Sequence, residues 1–180
     1  MSLLLFPDNT VLINFALIQR MDLLETLANG KGQWCASVAD ECHNSARQPG
    51  LEALNEADEI FGEPWHLQGQ AEWMNATILR DDLASPGDGR LKHLGEAETL
   101  AIMIHRATDG LFVTDDSDAA RLANRHGIQV IGTWDLLRLA AKRAMVDEAT
   151  LWGYVLTLRS HQRGSPPGVT SRATLSTWLE

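Results

Sequence analysis

The chain has 180 residues, of which 44% are hydrophobic and 22% charged, and its formal net charge is −9 with a pI near 5.1. This length suits one domain, and the charged fraction is too ordinary for a chain that is disordered throughout. The acidity excludes a protein that binds nucleic acid with its whole surface, although a local basic rim around an acidic centre remains compatible with it. Cys35 and Cys42 are too few for a disulfide framework or a four-ligand zinc site.

The N-terminal residues lack the basic start of a secretory signal, and no apolar run reaches the about 18 residues that span a bilayer. We therefore expect a cytoplasmic protein without a membrane anchor.

Strands and helices alternate along the predicted chain. The patterns predict a strand at 3–6, one or two helices ending near 29–30, a strand at 33–36, helices at 51–60 and 70–83 with a short strand at 65–67 between them, and a loop at 85–89. A helix from 95 to about 108 follows, then a strand at 111–113, a helix at 118–126, a strand at 128–132, a helix from 133 or 135 to about 145, and a helix at 148–158. Ser37 is expected to cap a helix after the second strand. This alternation predicts the α/β class, a three-layer α/β/α domain over 1–159 with a short, mostly parallel central sheet. The composition of 160–180 predicts a linker and a short C-terminal tail.

Acidic residues recur where the predicted strands end or the following helices begin. They are Asp8, Glu41, the pair Glu96 and Glu98, and the pair Asp115 and Asp116. Ligands of open parallel sheets collect at the carboxyl ends of the strands. Each acid taken singly is explained equally well as a helix cap, a first-turn acid or a solvated side chain. Their combination favours one site in which a hard cation such as Mg²⁺ or Mn²⁺ offsets the repulsion between carboxylates.

Five sequence blocks, taken in order, resemble those of PIN-domain nucleases. The blocks are FPDNTVLI at 6–13, CASVADEC at 35–42, GEAETLAI at 95–102, VTDDSD at 113–118 and IQVIGT at 128–133. The resemblance covers roughly residues 3–145. It implies the PIN-like α/β fold and a metal-dependent endoribonuclease, a hydrolase that acts on RNA, as in the toxins of bacterial toxin–antitoxin pairs.

Carried over block by block, the resemblance implies four catalytic acids, Asp8, Glu41, Glu98 and Asp116. Of the two glutamates near Gly95 we choose Glu98, because the apolar positions from Leu100 onward make it the first inward-facing residue of the helix. The expected ligands of Mg²⁺ or Mn²⁺ are Asp8, Glu98, Asp115 and Asp116, with one or two ions. The bound ion would lower the pKa of a water and offset charge on the scissile phosphate.

Four further residues are expected to support the site or contact the substrate, namely Asn9, Thr10, Thr114 and Arg121. The three polar residues would hydrogen-bond near the acids, and Arg121 would contact an RNA phosphate.

Two other interpretations compete with a nuclease. One is a PIN-fold module that binds RNA or protein without cleaving it. The other is a phosphoryl-transferring receiver or phosphatase domain, which is disfavoured because Ile131-Gly132-Thr133 brings no lysine to a strand end. If the toxin analogy holds, the partners would be a small antitoxin protein and a second copy in a homodimer.

Overall fold

The computed structural model describes residues 3–106 and 108–180 and confirms the predicted α/β class. Its sheet consists of β1 (Leu4–Pro7), β2 (Gly110–Val113) and β3 (Gln129–Ile131), all parallel, in the order β1-β2-β3. The central pairing joins Phe6 to Phe112 and Phe112 to Val130. These short apolar strands are typical of a parallel sheet that helices cover.

Helices make up most of the described chain. They are α1 (Asn9–Leu17), α2 (Met21–Ala28), α3 (Ala36–Ser45), α4 (Ala57–Phe61), α5 (Gly69–Leu83), α6 (Leu94–His105), α7 (Ser117–Arg125), α8 (Thr133–Lys142), α9 (Glu148–Ser160) and α10 (Arg172–Leu179). Helix α6 is the most deeply embedded, because Gly95 and the whole of 97–103 are buried in it. Within the described ranges, none of these helices has the length and apolar character needed to cross a membrane.

The predicted second strand is present only as two isolated pairings. Leu5 pairs with Gly32, and Cys35 pairs with Trp65, so the predicted strand at 65–67 is also reduced to one bridge. The ladder cannot extend because α3 begins directly after Cys35, which is its N-cap in place of the predicted Ser37. The apolar pattern at 33–36 therefore marks buried chain rather than a full strand.

Two predicted helices also have different bounds in the structure. The helix predicted over 51–60 is divided into a 3₁₀ turn at Glu52–Glu56 and the short helix α4. Helix α6 ends at His105, before the predicted end near Thr108, and Ala107 between them lies outside the described residues.

The C-terminal segment packs against the rest of the chain instead of forming a free tail. Arg159 of α9 donates to Ser165 Oγ at 2.6 Å and to the carbonyl of Val169. Val169 and Leu175 are buried, and α10 begins at Ser171, whose hydroxyl accepts the backbone N–H of its third helical residue. The domain boundary at 159 stays a prediction.

Gly32 is the position in this part of the fold that tolerates a side chain least. A Cβ built there lies 2.6 Å from the ring of Phe61, whereas one built on Gly153, in the exposed face of α9, meets nothing within 4 Å. We expect Gly32→Ala to lower the free energy of unfolding by roughly 1–3 kcal/mol through overpacking. The matched change Gly153→Ala should raise it by about 1 kcal/mol, because alanine favours a helix interior. Urea denaturation measures both, and a neutral Gly32→Ala would contradict the close packing of this turn.

Candidate metal-binding acidic site

Asp8 lies at the end of β1 and is the most deeply buried acid of the predicted set, with 2% of its surface exposed. Its Oδ1 accepts the backbone N–H of Val11 at 2.9 Å, which makes it the N-cap of α1, and the Thr10 hydroxyl at 2.6 Å. Its Oδ2 accepts the hydroxyl of Thr114, the residue that follows β2. Three donors therefore fix this carboxylate at the carboxyl end of the sheet.

Helices α3 and α6 each place a carboxylate at the first turn of the other helix. Glu98 of α6 accepts the backbone N–H of Ser37 in the first turn of α3 at 2.8 Å. In return, the backbone N–H of Gly95 in the first turn of α6 hydrogen-bonds to Glu41 of α3. A Cβ on Gly95 would lie 3.1 Å from Glu41 Oε1 and 2.9 Å from Val38 Cγ2, so only glycine allows this approach.

Three side chains from two chain segments converge at the entrance to the site. Ligand atoms of His93, Glu96 and Asp116 all lie within 4.8 Å of one another, which is the spacing expected of residues around one ion. Glu96 is also among the charges that act on both Asp8 and Glu41. One imidazole and two carboxylates are thus within ligand distance of one another, and the charge of one of them acts on two more acids. Oxygen donors dominate this set, which fits a hard divalent cation.

The structure brings together only part of the predicted acidic set. Asp116 is grouped with Glu96 and His93, and the charge of Glu96 acts on both Asp8 and Glu41. Glu98 faces inward, as its periodicity predicts, and is buried with 5% of its surface exposed. Its carboxylate, however, is directed to the first turn of α3. Whether Glu98 or Glu96 serves as a ligand therefore stays a prediction.

Asp115 has a different environment from its neighbour Asp116. Its Oδ1 accepts the backbone N–H of Thr133 at 2.8 Å, and its Oδ2 accepts the Thr133 hydroxyl at 2.5 Å and Asn14 Nδ2–H at 2.8 Å. These bonds join β2 to α8 and α1 and occupy both oxygens. Asp116 caps α7 through Oδ1, which accepts two backbone N–H groups. The prediction of Asp115 as a metal ligand finds no support in this arrangement.

The remaining predicted residues divide into supporting and peripheral ones. Thr10 and Thr114 hydrogen-bond to Asp8, and Thr114 also accepts the backbone N–H of Asp116 at 3.0 Å. Asn9 donates to Ser45 Oγ at 3.1 Å, and its own Oδ1 is buried without a partner among the described residues. Arg121 is exposed and pairs with Asp118. Only the two threonines touch the acids directly.

His93, the residue before α6, is not among the predicted metal ligands. Its backbone has a left-handed conformation with φ of 65°, which turns the side chain toward Glu96, with Nδ1 3.8 Å from Glu96 Oε1. Its Nε2 lies 3.4 Å from Asp88 Oδ2. His93 and Glu96 are three positions apart at a predicted helix start, and this i,i+3 spacing is the sequence signal that indicates their proximity.

Burial, with a smaller contribution from neighbouring acids, raises the pKa of two acids of the site. Burial raises the pKa of Asp8 from 3.8 to about 6, against the lowering effect of its hydrogen bonds. Burial first and the charge of Glu96 second raise the pKa of Glu41 from 4.5 to about 7, with Asp8 and Glu98 adding to the effect. A nearby cation favours the ionised form of such carboxyl groups, so these acids suit a cation-binding site.

Comparison with known proteins supports a family assignment. A family model described as a PIN domain matches residues 6–162, which is most of the chain. A search of curated proteins and a search of solved structures each gave no significant match.

The raised pKa values predict an unusual dependence of stability on pH in the metal-free protein. An acid whose pKa is higher in the folded state stabilises the fold at low pH and loses that contribution as pH rises through its folded pKa. In EDTA, we expect the free energy of unfolding to fall between about pH 4 and pH 8, that is, from the ordinary pKa values of Asp8 and Glu41 to above their values in the folded protein. Asp8→Asn should remove about 3 kcal/mol of that loss, since a shift of about two pKa units corresponds to this energy.

Urea denaturation across this pH range measures the effect. Asp118→Asn is the matched control, because the Asp118 side chain is exposed and pairs with Arg121 outside the cluster. Wild-type stability that stays level from about pH 4 to pH 8 in EDTA would contradict the electrostatic description of the cluster.

Proposed function

The chain belongs to the PIN-domain family, and on that premise we propose that it is a metal-dependent endoribonuclease that hydrolyses RNA phosphodiester bonds. The observation that carries this proposal is the group of His93, Glu96 and Asp116, together with the charge of Glu96 acting on Asp8 and Glu41. Burial, with a smaller contribution from neighbouring acids, raises the pKa of Asp8 and Glu41. Such an arrangement is favourable only when a cation is bound.

In this proposal, Glu96 and Asp116 hold Mg²⁺ or Mn²⁺ together with Asp8, and His93 lies within reach as a further ligand. The ion, when bound, supplies Lewis-acid stabilisation of the charge that develops on the scissile phosphate. Thr10 and Thr114 orient the Asp8 carboxylate through their hydroxyls.

Glu41 stands beside this group rather than within it, with its carboxylate hydrogen-bonded by Gly95 N–H. Because its pKa is raised to about 7, a proton can be held on it near neutral pH. We assign it the role of accepting a proton from the water that attacks phosphorus.

An acidic protein that cleaves RNA needs access and local positive charge. A cleft of about 360 Å³ opens beside Glu41 and is lined along α3 by Asn44 and Arg47, with the exposed side chain of Leu91 on the other side. Arg47 can contact a phosphate of a strand that enters this cleft, and Leu91 offers an apolar surface to a base. We propose this cleft as the path of the RNA toward the acids.

The finer role as a toxin, with a small antitoxin protein or a second copy as partner, is proposed on the resemblance alone. A catalytically silent binding module is the second candidate. The gathering of acids at this end of the sheet favours the nuclease, since a module that only binds has no need of carboxylates placed so close together.

The two glutamates of α6 provide a matched pair of variants. Glu96→Gln should lower metal-dependent cleavage by more than about 100-fold, because it removes a ligand charge from the reacting centre. Glu98→Gln should retain activity within about tenfold, since glutamine can still accept the Ser37 N–H. Initial rates on one labelled RNA measure both. Equal losses in the two variants would return Glu98 to the reacting centre.

The test of the proposed function is cleavage of a panel of labelled single-stranded and structured RNAs in Mn²⁺, Mg²⁺ or EDTA. Asp8→Asn runs alongside at equal concentration, because asparagine preserves the cap of α1 while removing the charge. Cleavage that needs metal and disappears in the variant supports the nuclease. Folded, partner-free protein that cleaves none of the RNAs would favour the silent module.

A further inference from the structure

A buried polar network connects the C-terminal segment to the end of the sheet. Arg163 donates from Nε to Asn14 Oδ1 at 2.7 Å and from a terminal nitrogen to the Thr10 carbonyl at 2.9 Å. Asn14, in turn, donates through Nδ2 to Asp115 Oδ2 at 2.8 Å and to Thr133 Oγ1 at 3.0 Å. Asn14 and Thr133 are almost fully buried. The network therefore runs from a cation through an amide to a carboxylate.

The direction of the Asn14 amide depends on Arg163. An amide can be rotated by half a turn with little change in shape, so its hydrogen-bond partners decide which end faces which group. Arg163 offers only donors and therefore selects the oxygen of Asn14 for its own side. The NH₂ group then faces Asp115 and Thr133, where acceptors are available. Without the guanidinium, Asn14 Oδ1 would be buried and unpaired, which is unfavourable.

Both ends of the network lie next to the acidic site. Asp115 is flanked by Thr114, which hydrogen-bonds to Asp8, and by Asp116, which belongs to the cluster with His93. Fixing Asp115 between α1 and α8 fixes the backbone that carries these two neighbours. At the other end, Arg163 holds the carbonyl of Thr10, whose hydroxyl donates to Asp8.

We propose that Arg163 is a positioning residue of the metal site, acting through Asn14, Asp115 and Thr10 to hold Asp8 and Asp116 in place. This inference rests on the proposed function. Arg163 lies one position beyond the residues that the PIN-domain model matches, 6–162. The first part of the C-terminal segment thus belongs to the functional unit, although its sequence carries no ligand for the ion.

Arg159 of α9 also bonds to the C-terminal segment and provides a control with a structural role alone. Arg159 bonds to Ser165 and to the carbonyls of Val169 and Thr170, all within the C-terminal segment, and stacks over Trp152. It anchors the segment but makes no bond to α1 or to the end of β2. Loss of Arg159 should loosen the segment without changing the orientation of Asn14.

The experiment measures Mn²⁺ affinity by calorimetry on the full chain for wild type, Arg163→Ala, Arg163→Lys and Arg159→Ala. We expect Arg163→Ala to bind Mn²⁺ about tenfold more weakly, the loss typical of residues that orient metal ligands. Low millimolar guanidinium should restore much of that affinity in Arg163→Ala and have no effect on the wild type. Arg163→Lys, which keeps the charge and one donor, should fall between the two.

Urea denaturation of the metal-free proteins supplies the second readout. Arg159→Ala is expected to lower stability while its Mn²⁺ affinity stays at the wild-type value. Wild-type affinity in both Arg163 variants would overturn the inference, as would equal losses in Arg163→Ala and Arg159→Ala, because either result reduces Arg163 to an anchor of the segment. A wild-type protein that binds no Mn²⁺ would overturn the proposed function itself, and the inference with it.

Discussion

Carboxylates placed on helix N-termini are the constraint on which this end of the molecule depends. Asp8 caps α1 and Asp116 caps α7. Glu98 and Glu41 lie on the first turns of α3 and α6, and Asp115 lies on the first turn of α8. The unpaired backbone N–H groups of a helix start and its partial positive charge favour an anion there. Five helix starts therefore allow these acids to lie closer together than carboxylates without such partners could.

At this end of the molecule, an acid that caps a helix can also bind a cation, although the sequence patterns present the two roles as alternatives. A carboxylate has two oxygens and about four lone-pair positions, so one oxygen can hold a helix while the other faces a cation. Asp116 shows this division, since Oδ1 alone accepts both N–H groups of α7. Capping therefore also fixes the position of the carboxylate.

Within each of the two acid pairs, the two side chains face different directions and make different contacts. In α6, residues two positions apart face different sides, so Glu96 lies toward the cluster and Glu98 toward α3. At the end of β2, consecutive side chains point to opposite faces, and Asp115 goes to the α1–α8 contact while Asp116 goes to the cluster. One member of each pair stabilises the fold and the other is available for an ion.

The sequence predicts those parts of the structure that depend on local pattern. Because ligands collect at the carboxyl ends of parallel strands, the sequence pattern indicates Asp8 and Asp116 as candidate site residues. The alternation of strands and helices predicts the class of fold. Periodicity showed that Glu98 faces inward but not which neighbour it faces, because that neighbour, Ser37, is 61 positions away in the chain. Asn14, a polar residue within an apolar helix, was a visible signal of a buried network. Its partners Asp115 and Arg163 are 101 and 149 positions distant, beyond any local pattern.

The register of the sheet has a consequence for when this site comes into being. Because Leu4 pairs with Gly110, β1 has no partner strand in the described sheet until the chain has been synthesised past β2. Contacts between residues so far apart in sequence form late in folding, since a long loop must close first. The carboxylates of Asp8 and Asp116 are thus remote from each other in a nascent chain and meet only when the sheet closes.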